Sequence, residues 1–164
     1  MKKYEFTGET KQINLLFRTA TLHRIRAVVE FGLVKIGDLG GWIEKEENLS
    51  HDGKAWVWGN AKVWGNAEVC GDAKVCGDAE VFSASHVLVI GAIGSRNDFT
   101  TFFRDKDGEI TVKCGCFLGK IDRFLEKVAS THGNSKYALV YRAAVEVAKL
   151  QIDLTGEAPE MDEE

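Results

Sequence analysis

The chain has 164 residues, 45% of them hydrophobic, and a formal net charge of −4 at pH 7. This length is enough for one compact domain. The negative charge argues against a broad basic face for duplex DNA, and no apolar run reaches membrane-spanning length. The four cysteines lack paired spacings and no secretory leader is visible, so we expect a cytoplasmic protein.

The first 48 residues contain one strand-like segment followed by several glycines. Apolar and polar residues alternate from Leu22 to Phe31, which is typical of a strand. Gly32, Gly37 and the pair Gly40-Gly41 then indicate turns. We predict that residues 1–48 form an N-terminal β cap.

Between Val57 and Val87 the sequence repeats every six residues. The units read Val-Trp-Gly-Asn-Ala-Lys, Val-Trp-Gly-Asn-Ala-Glu, Val-Cys-Gly-Asp-Ala-Lys, Val-Cys-Gly-Asp-Ala-Glu and the degenerate Val-Phe-Ser-Ala-Ser-His. In each unit Ala and Val alternate with polar or large residues, which is the period of a strand. The Gly-Asn or Gly-Asp pair is typical of a tight turn. A short fixed period of this kind predicts stacked units with Ala and Val inside.

This pattern resembles the hexapeptide repeat of left-handed parallel β-helices, in which three units form one turn. The resemblance implies a prism of about two coils over residues 49–93, because a unit that begins at His51 fits the same frame. The charges agree with three units per turn. With that shift Lys62 lies over Glu80, whereas two or four units per turn would stack like charges. The same shift places Trp64 over Phe82.

Beyond the repeat, the sequence predicts an α+β appendage over residues 94–154. Residues 99–104 and 109–113 have the pattern of two strands joined by an Asp-Lys-Asp-Gly hairpin turn. Two helices with apolar residues at helical spacing follow, one over about 121–130 and one over about 135–150.

The last ten residues, 155–164, are acidic and polar, and we predict a disordered tail. The predicted fold class is therefore mainly β: a short left-handed parallel β-helix with an N-terminal β cap and a C-terminal α+β appendage.

A longer segment shows a second resemblance. The sequence Gly37-Asp-Leu-Gly-Gly-Trp-Ile-Glu-Lys-Glu-Glu-Asn-Leu-Ser50 runs into Ala55-Trp56-Val57. It resembles a leader that precedes hexapeptide repeats in a group of uncharacterised bacterial and phage proteins, and the resemblance covers roughly residues 1–90. The part after Gly94 resembles the C-terminal segments of phage and prophage members. No activity transfers residue by residue, but the resemblance implies a protein that acts in the cytoplasm of a host cell.

Outward-pointing rings would form an apolar patch on an isolated prism. They are Trp56, Trp58, Trp64 and Phe82. Exposed patches of this kind usually mark association surfaces, and related β-helices pack as three prisms around a threefold axis. We therefore predict a homotrimer interface at these residues. The alternative is that some of the rings stack on a ligand base or contact a partner protein.

A polar cluster lies where the repeat ends and the appendage begins. Arginine and threonine side chains suit an anionic oxygen such as phosphate, and junctions between domains are favoured ligand sites. The predicted ligand-binding residues are Arg96, Asn97, Asp98, Thr100, Arg104 and Lys113. A solvated turn would explain the same residues equally well.

Catalysis and metal binding are weaker hypotheses. Many hexapeptide β-helix enzymes are acyltransferases with a histidine general base, and His86 is the only histidine predicted on an outer face of the prism. Two coils offer little groove for coenzyme A, however. Cys114 and Cys116, with His132, suggest a metal site, but zinc ribbons need two residues between the cysteines and a second such pair. We therefore expect no metal and no cofactor.

These observations favour a non-enzymatic, oligomeric binding protein of phage or prophage type that interferes with its host. It would sequester an anionic, nucleotide-like signal or block a host defence protein. We expect neither duplex nucleic acid nor a membrane as a partner. The alternatives are a hexapeptide acyltransferase that uses His86 and a purely structural trimeric module.

Overall fold

The computed structural model describes residues 1–156, which form three sheets and two helices. The predicted disordered tail lies outside the described residues, except for its first two positions. Within the described part of the chain, no helix is long and apolar enough to cross a bilayer.

The longest strands form an antiparallel pair near the N-terminus. Strand β1 spans Tyr4–Asn14 and β2 spans Thr19–Ala27. Strand β3, Leu39–Ile43, continues the sheet antiparallel to β2. The sequence predicted β2 but not β1, because β1 is mostly polar and buries only Tyr4 and Ile13.

The glycine pair Gly40-Gly41 lies inside β3 rather than in a turn, so the turn predicted there was wrong. A Cβ at Gly40 would lie 2.6 Å from Ile25 and 2.7 Å from Cζ2 of Trp56. Glycine is required here because β3 approaches the side chains of its neighbours too closely for any other residue.

The repeat segment consists of two-residue strands that pair in parallel. They are β4 (Trp56–Val57), β5 (Lys62–Val63), β6 (Lys74–Val75) and β7 (Glu80–Val81). Lys62 pairs with Glu80, and Trp56 pairs with Lys74, so partners are eighteen positions apart. The register predicted from the charges is confirmed. The repeat Ala and Val side chains are buried, and the glycine of each unit has a positive φ, as expected for the turns.

The predicted fold class was nevertheless wrong. The described residues contain no closed solenoid and no left-handed parallel β-helix; instead, β5 and β7 extend a mixed sheet in the order β1-β2-β3-β5-β7, while β4 and β6 form a separate pair. The physical reason is that two-residue strands form few ladder bonds, so the longer N-terminal strands add to the same sheet. Tyr4, Ile25 and Ile43 share one buried cluster with the repeat valines, and residues 1–48 are thus part of the core that they were predicted to cap.

The third sheet is antiparallel and belongs to the appendage. Its strands are β8 (Val87–Ile93), β9 (Asp98–Arg104), β10 (Ile110–Cys114) and β11 (Phe117–Lys120), in the order β11-β10-β9-β8. Helices α1 (Ile121–His132) and α2 (Lys136–Gln151) follow. The predicted hairpin and both predicted helices are confirmed. Residues 87–93, which the sequence placed in the repeat, pair with β9 instead.

Strand β9 connects the two main cores of the protein. Phe103 packs with the repeat valines, whereas its neighbour Phe102 packs with Phe124 of α1 and Val145 of α2. This alternation follows from the strand period of two, since successive side chains point to opposite faces of the sheet. The helices therefore cover the face that turns away from the repeat.

Candidate functional site

A cavity of about 140 Å³ lies within the appendage. Its walls come from the β8–β9 loop, the β10–β11 turn, α1 and α2. Apolar side chains of Phe117, Phe124 and Val128 line it together with the ring of Tyr141. An engineered cavity of about 150 Å³ holds one benzene molecule. The cavity of this protein therefore has room for one ring-sized group.

Tyr141 closes one side of the cavity, because it lies on the buried face of α2. Its ring packs edge-on against Phe124 and stacks on His132, each with 5.7 Å between centroids. The hydroxyl comes so close to Gly94 that a Cβ there would overlap it. Burial, and after it the neighbouring Cys114 thiol, raises the pKa of Tyr141 to about 12. The phenol is therefore neutral at pH 7 and can donate a hydrogen bond.

Two thiols line the cavity at the end of β10. Sγ of the half-buried Cys114 accepts a hydrogen bond of 3.5 Å from Oγ1 of Thr100. Cys116 is exposed in the turn that joins β10 to β11. His132 lines the same cavity, so the structure brings together the three residues considered for a metal site. In residues 1–156, however, no group of three or more His, Cys, Asp or Glu side chains is arranged to hold a metal ion.

Three exposed charged residues, Arg96, Asp98 and Lys127, line the cavity. Because their side chains are exposed, we assign them to its opening. The guanidinium of Arg96 lies over the β10–β11 turn, where a Cβ at Gly115 would be only 3.0 Å from Nη1 of Arg96. Two cations and one carboxylate leave a net positive charge at this opening, which favours an anionic ligand.

An open groove of about 530 Å³ lies beside the cavity along α1. Cys116, Phe117 and Lys127 line both the cavity and the groove. The groove also contains Arg123, which lies one helical turn before Lys127 on the same face of α1.

Two of the six predicted ligand-binding residues, Arg96 and Asp98, line the cavity. Thr100 is buried and reaches it only through the thiol of Cys114. Asn97 is exposed in the β8–β9 loop with a φ of 49°. Lys113 is half-buried and lies near Cys76, and neither residue is among those that line the cavity.

Arg104 lies at the far end of β9 and does not reach the cavity. Its side chain is buried and donates hydrogen bonds to the backbone oxygens of Thr155 (2.8 Å) and Gly156 (2.7 Å). The guanidinium also lies over the ring of Phe82, at 5.1 Å from its centroid. Arg104 therefore anchors the segment that follows α2.

The rings predicted to form an exposed interface are largely covered within the chain. Trp56 and Trp64 are 0% and 2% exposed. Trp56 packs against Tyr4, and Trp64 stacks on Phe82 with 5.0 Å between centroids. Trp58 and Phe82 are half-buried. The prediction of an exposed patch was wrong for Trp56 and Trp64, because the N-terminal strands cover them. The homotrimer prediction thus loses two of its four interface residues.

His86 is buried at the end of a short 3₁₀ turn, Ala84–His86. Its Nδ1 accepts a hydrogen bond of 3.1 Å from the backbone N–H of Phe82. Burial, assisted by the positive charge of Arg104, lowers the pKa of His86, so its ring is neutral at pH 7. These contacts make His86 an anchor of the turn; the outer-face position required by the acyltransferase hypothesis is not observed.

Most residues of the site were not predicted from the sequence. Phe124 and Tyr141 follow helical spacing and are indistinguishable in sequence from ordinary core residues. Lys127 is one of many exposed lysines. The sequence signals that did point to the site were the charged cluster with Arg96 and Asp98 and the Cys114-Gly-Cys116 segment at a strand end.

The sequence matches no protein-family model, and no curated protein matches it significantly. The resemblances to hexapeptide-repeat proteins and to phage proteins therefore stay predictions.

Proposed function

We propose that this protein is a non-enzymatic binding protein that captures a small anionic, ring-containing ligand of the nucleotide class. One observation supports this proposal above all others. The cavity between α1 and α2 combines an aromatic, ring-sized interior with two cations, Arg96 and Lys127, at its mouth. A few polar groups around an apolar pocket are the usual composition of a small-molecule site.

Each part of a nucleotide has a suitable counterpart here. Phe117, Phe124 and Tyr141 offer ring faces and edges to a base, and base–aromatic stacking contributes about 1–3 kcal/mol per base in nucleic-acid complexes. The Tyr141 hydroxyl and the Asp98 carboxylate provide a donor and an acceptor for the polar edge of a base. Arg96 and Lys127 attract the anion as a whole.

The resemblance to phage and prophage proteins supports a role for this capture in the host cell. A protein made in excess of a nucleotide-like signal would lower the free concentration of that signal without any chemical step.

The test begins with mass spectrometry of small molecules released when the purified protein is heated, followed by calorimetric titration with AMP, GMP, CMP and UMP. We expect at least one nucleotide to bind and to be recovered unchanged. Arg96→Ala should weaken binding about tenfold or more, because a charge-assisted hydrogen bond contributes about 1.5–3 kcal/mol.

Arg26→Ala is the matched control, since Arg26 pairs with Glu5 on the N-terminal sheet, away from the cavity. The Arg26→Ala variant should bind the nucleotide with the same affinity as the wild type. Absence of both a released nucleotide and titration heat would refute the proposal. Conversion of the added nucleotide into a product would refute its non-enzymatic part.

A further inference from the structure

We infer that the site has two compartments, the cavity for the ring and the groove along α1 for a phosphate, so that it selects a nucleoside monophosphate over the nucleoside. This inference rests on the proposed function and extends it to Arg123. The first reason is size. A space of about 140 Å³ holds a ring but not a ring, a sugar and a phosphate together. The rest of the ligand must lie outside the cavity.

The second reason is adjacency. Cys116, Phe117 and Lys127 line both spaces, so the cavity and the groove lie side by side, and a ligand bound in one is within reach of the other. Arg123 lies four residues before Lys127, about 6 Å along the helix at ~1.5 Å per residue. The groove therefore has room for a sugar beside Lys127 and for a phosphate between Lys127 and Arg123.

The third reason is charge. Asp98 lines the cavity but not the groove, and its carboxylate disfavours a phosphate inside the cavity. In the groove, the cations of Arg123 and Lys127 outnumber the carboxylate of Glu126. The guanidinium fork of Arg123 can bind two phosphate oxygens at once. The anionic end of the ligand is therefore directed outwards, along α1.

Ser130 also lines the groove but does not supply a phosphate donor. Its Oγ donates a hydrogen bond of 3.1 Å to the backbone oxygen of Lys127. Arg123 and Lys127 are thus the groove residues expected to bind the phosphate, and Arg123, which does not line the cavity, distinguishes the two compartments.

The first experiment compares AMP, adenosine and inorganic phosphate by calorimetric titration of the full-length protein. We expect AMP to bind at least tenfold more tightly than adenosine. Arg123→Gln should reduce this difference at least threefold, with Lys127 still in place, while the affinity for adenosine stays unchanged. Lys149→Gln is the matched control, because Lys149 is an exposed lysine on α2 that pairs with Glu146 and lines neither the cavity nor the groove.

The outcomes separate this inference from the proposal on which it rests. Equal affinities for AMP and adenosine, or an equal effect of Arg123→Gln on both, would overturn the two-compartment site while nucleotide capture still stood. Phosphate that binds as tightly as AMP would also overturn it, since the ring would then contribute nothing. Absence of binding by adenosine and by all four monophosphates, AMP, GMP, CMP and UMP, would overturn the capture proposal as well.

A second experiment locates the ligand through Cys116, which is exposed and lines both compartments. Iodoacetamide labelling is followed by mass spectrometry, with and without saturating AMP. We expect AMP to slow alkylation of Cys116 at least tenfold. Cys70 is an internal control, because it is equally a free, exposed thiol but lies outside both spaces. An unchanged rate at Cys116, or equal slowing of both thiols, would overturn the placement.

Discussion

Replacement of Trp56 by alanine tests whether the repeat tryptophans lie inside the protein. Trp56 is fully buried; its ring packs edge-on against Tyr4 and Phe31, and Gly40 lies directly beside it. Large-to-small aromatic substitutions in a core cost about 3–5 kcal/mol. Nε1 of Trp56 has no hydrogen-bond partner within the described residues, and its removal recovers part of the desolvation cost of that N–H, which is about 1–3 kcal/mol. We therefore expect a loss near the lower end, about 3 kcal/mol.

The free energy of unfolding should be measured in urea by far-UV circular dichroism, because the substitution itself changes tryptophan fluorescence. For a protein of this size, a loss of about 3 kcal/mol lowers the Tm by about 6–12 °C. Trp58→Ala is the control: Trp58 is half-buried, so this substitution should lower the free energy of unfolding clearly less than Trp56→Ala does. Should Trp56→Ala fail to fold, Trp56→Phe gives the same comparison with a smaller cavity.

An exposed interface residue would behave differently. Its substitution would change the unfolding free energy of the monomer by no more than about 0.5 kcal/mol and would instead change the molar mass seen by light scattering. A cost below about 1 kcal/mol for Trp56→Ala, with an unchanged denaturant slope, would therefore refute the burial described above.

Three further predictions concern histidine, glycine and arginine positions. Burial lowers the folded-state pKa of His86. The unfolded chain therefore takes up the proton first as the pH falls below about 6.5, and the folded protein loses stability there. The side-chain oxygen of Asn in His86→Asn can accept the same hydrogen bond from the Phe82 amide, so this variant should lose less unfolding free energy between pH 7.5 and 5.5, measured in urea; equal losses in the two proteins would contradict this reasoning. Gly94→Ala and Gly59→Ala both place alanine at a positive φ, at a strain of about 1–3 kcal/mol. Of the two, only the Cβ at position 94 would also overlap a neighbour, the Tyr141 hydroxyl. Thermal unfolding should therefore show a larger fall in Tm for Gly94→Ala, and similar falls would argue against the close approach of Tyr141 to Gly94. Arg104→Met should release the segment after α2 from its carbonyl contacts and so accelerate limited proteolysis near residue 155; an unchanged cleavage rate would mean that these hydrogen bonds do not hold the segment.

The candidate site was only partly predictable from the sequence. Arg96 and Asp98 were identified because charged residues clustered in a short segment after the repeat. Tyr141 and Lys127 were not, since nothing local distinguishes a tyrosine that closes a cavity from one in an ordinary core. Arg104 shows the opposite error: its residue type suited an anion, but the structure directs its donors to backbone oxygens in the segment that follows α2.

The properties that the sequence determined by itself are those that follow from short, repeated sequence patterns. Six-residue periodicity placed Ala and Val inside, glycine set the turns, and alternating Lys and Glu set the register seen between Lys62 and Glu80. Helical spacing likewise located α1 and α2. Each of these follows from strand, turn or helix geometry, which the local sequence specifies.

Only the tertiary structure decided what covers the repeat and where a ligand would fit. The N-terminal strands join the same sheet and bury Trp56 beneath Tyr4, although these two residues lie far apart in the sequence. The cavity likewise requires the β8–β9 loop, the β10–β11 turn and both helices to meet. Such contacts depend on the packing of distant segments, where the gain from burying apolar surface outweighs any local preference, and no short sequence pattern encodes them.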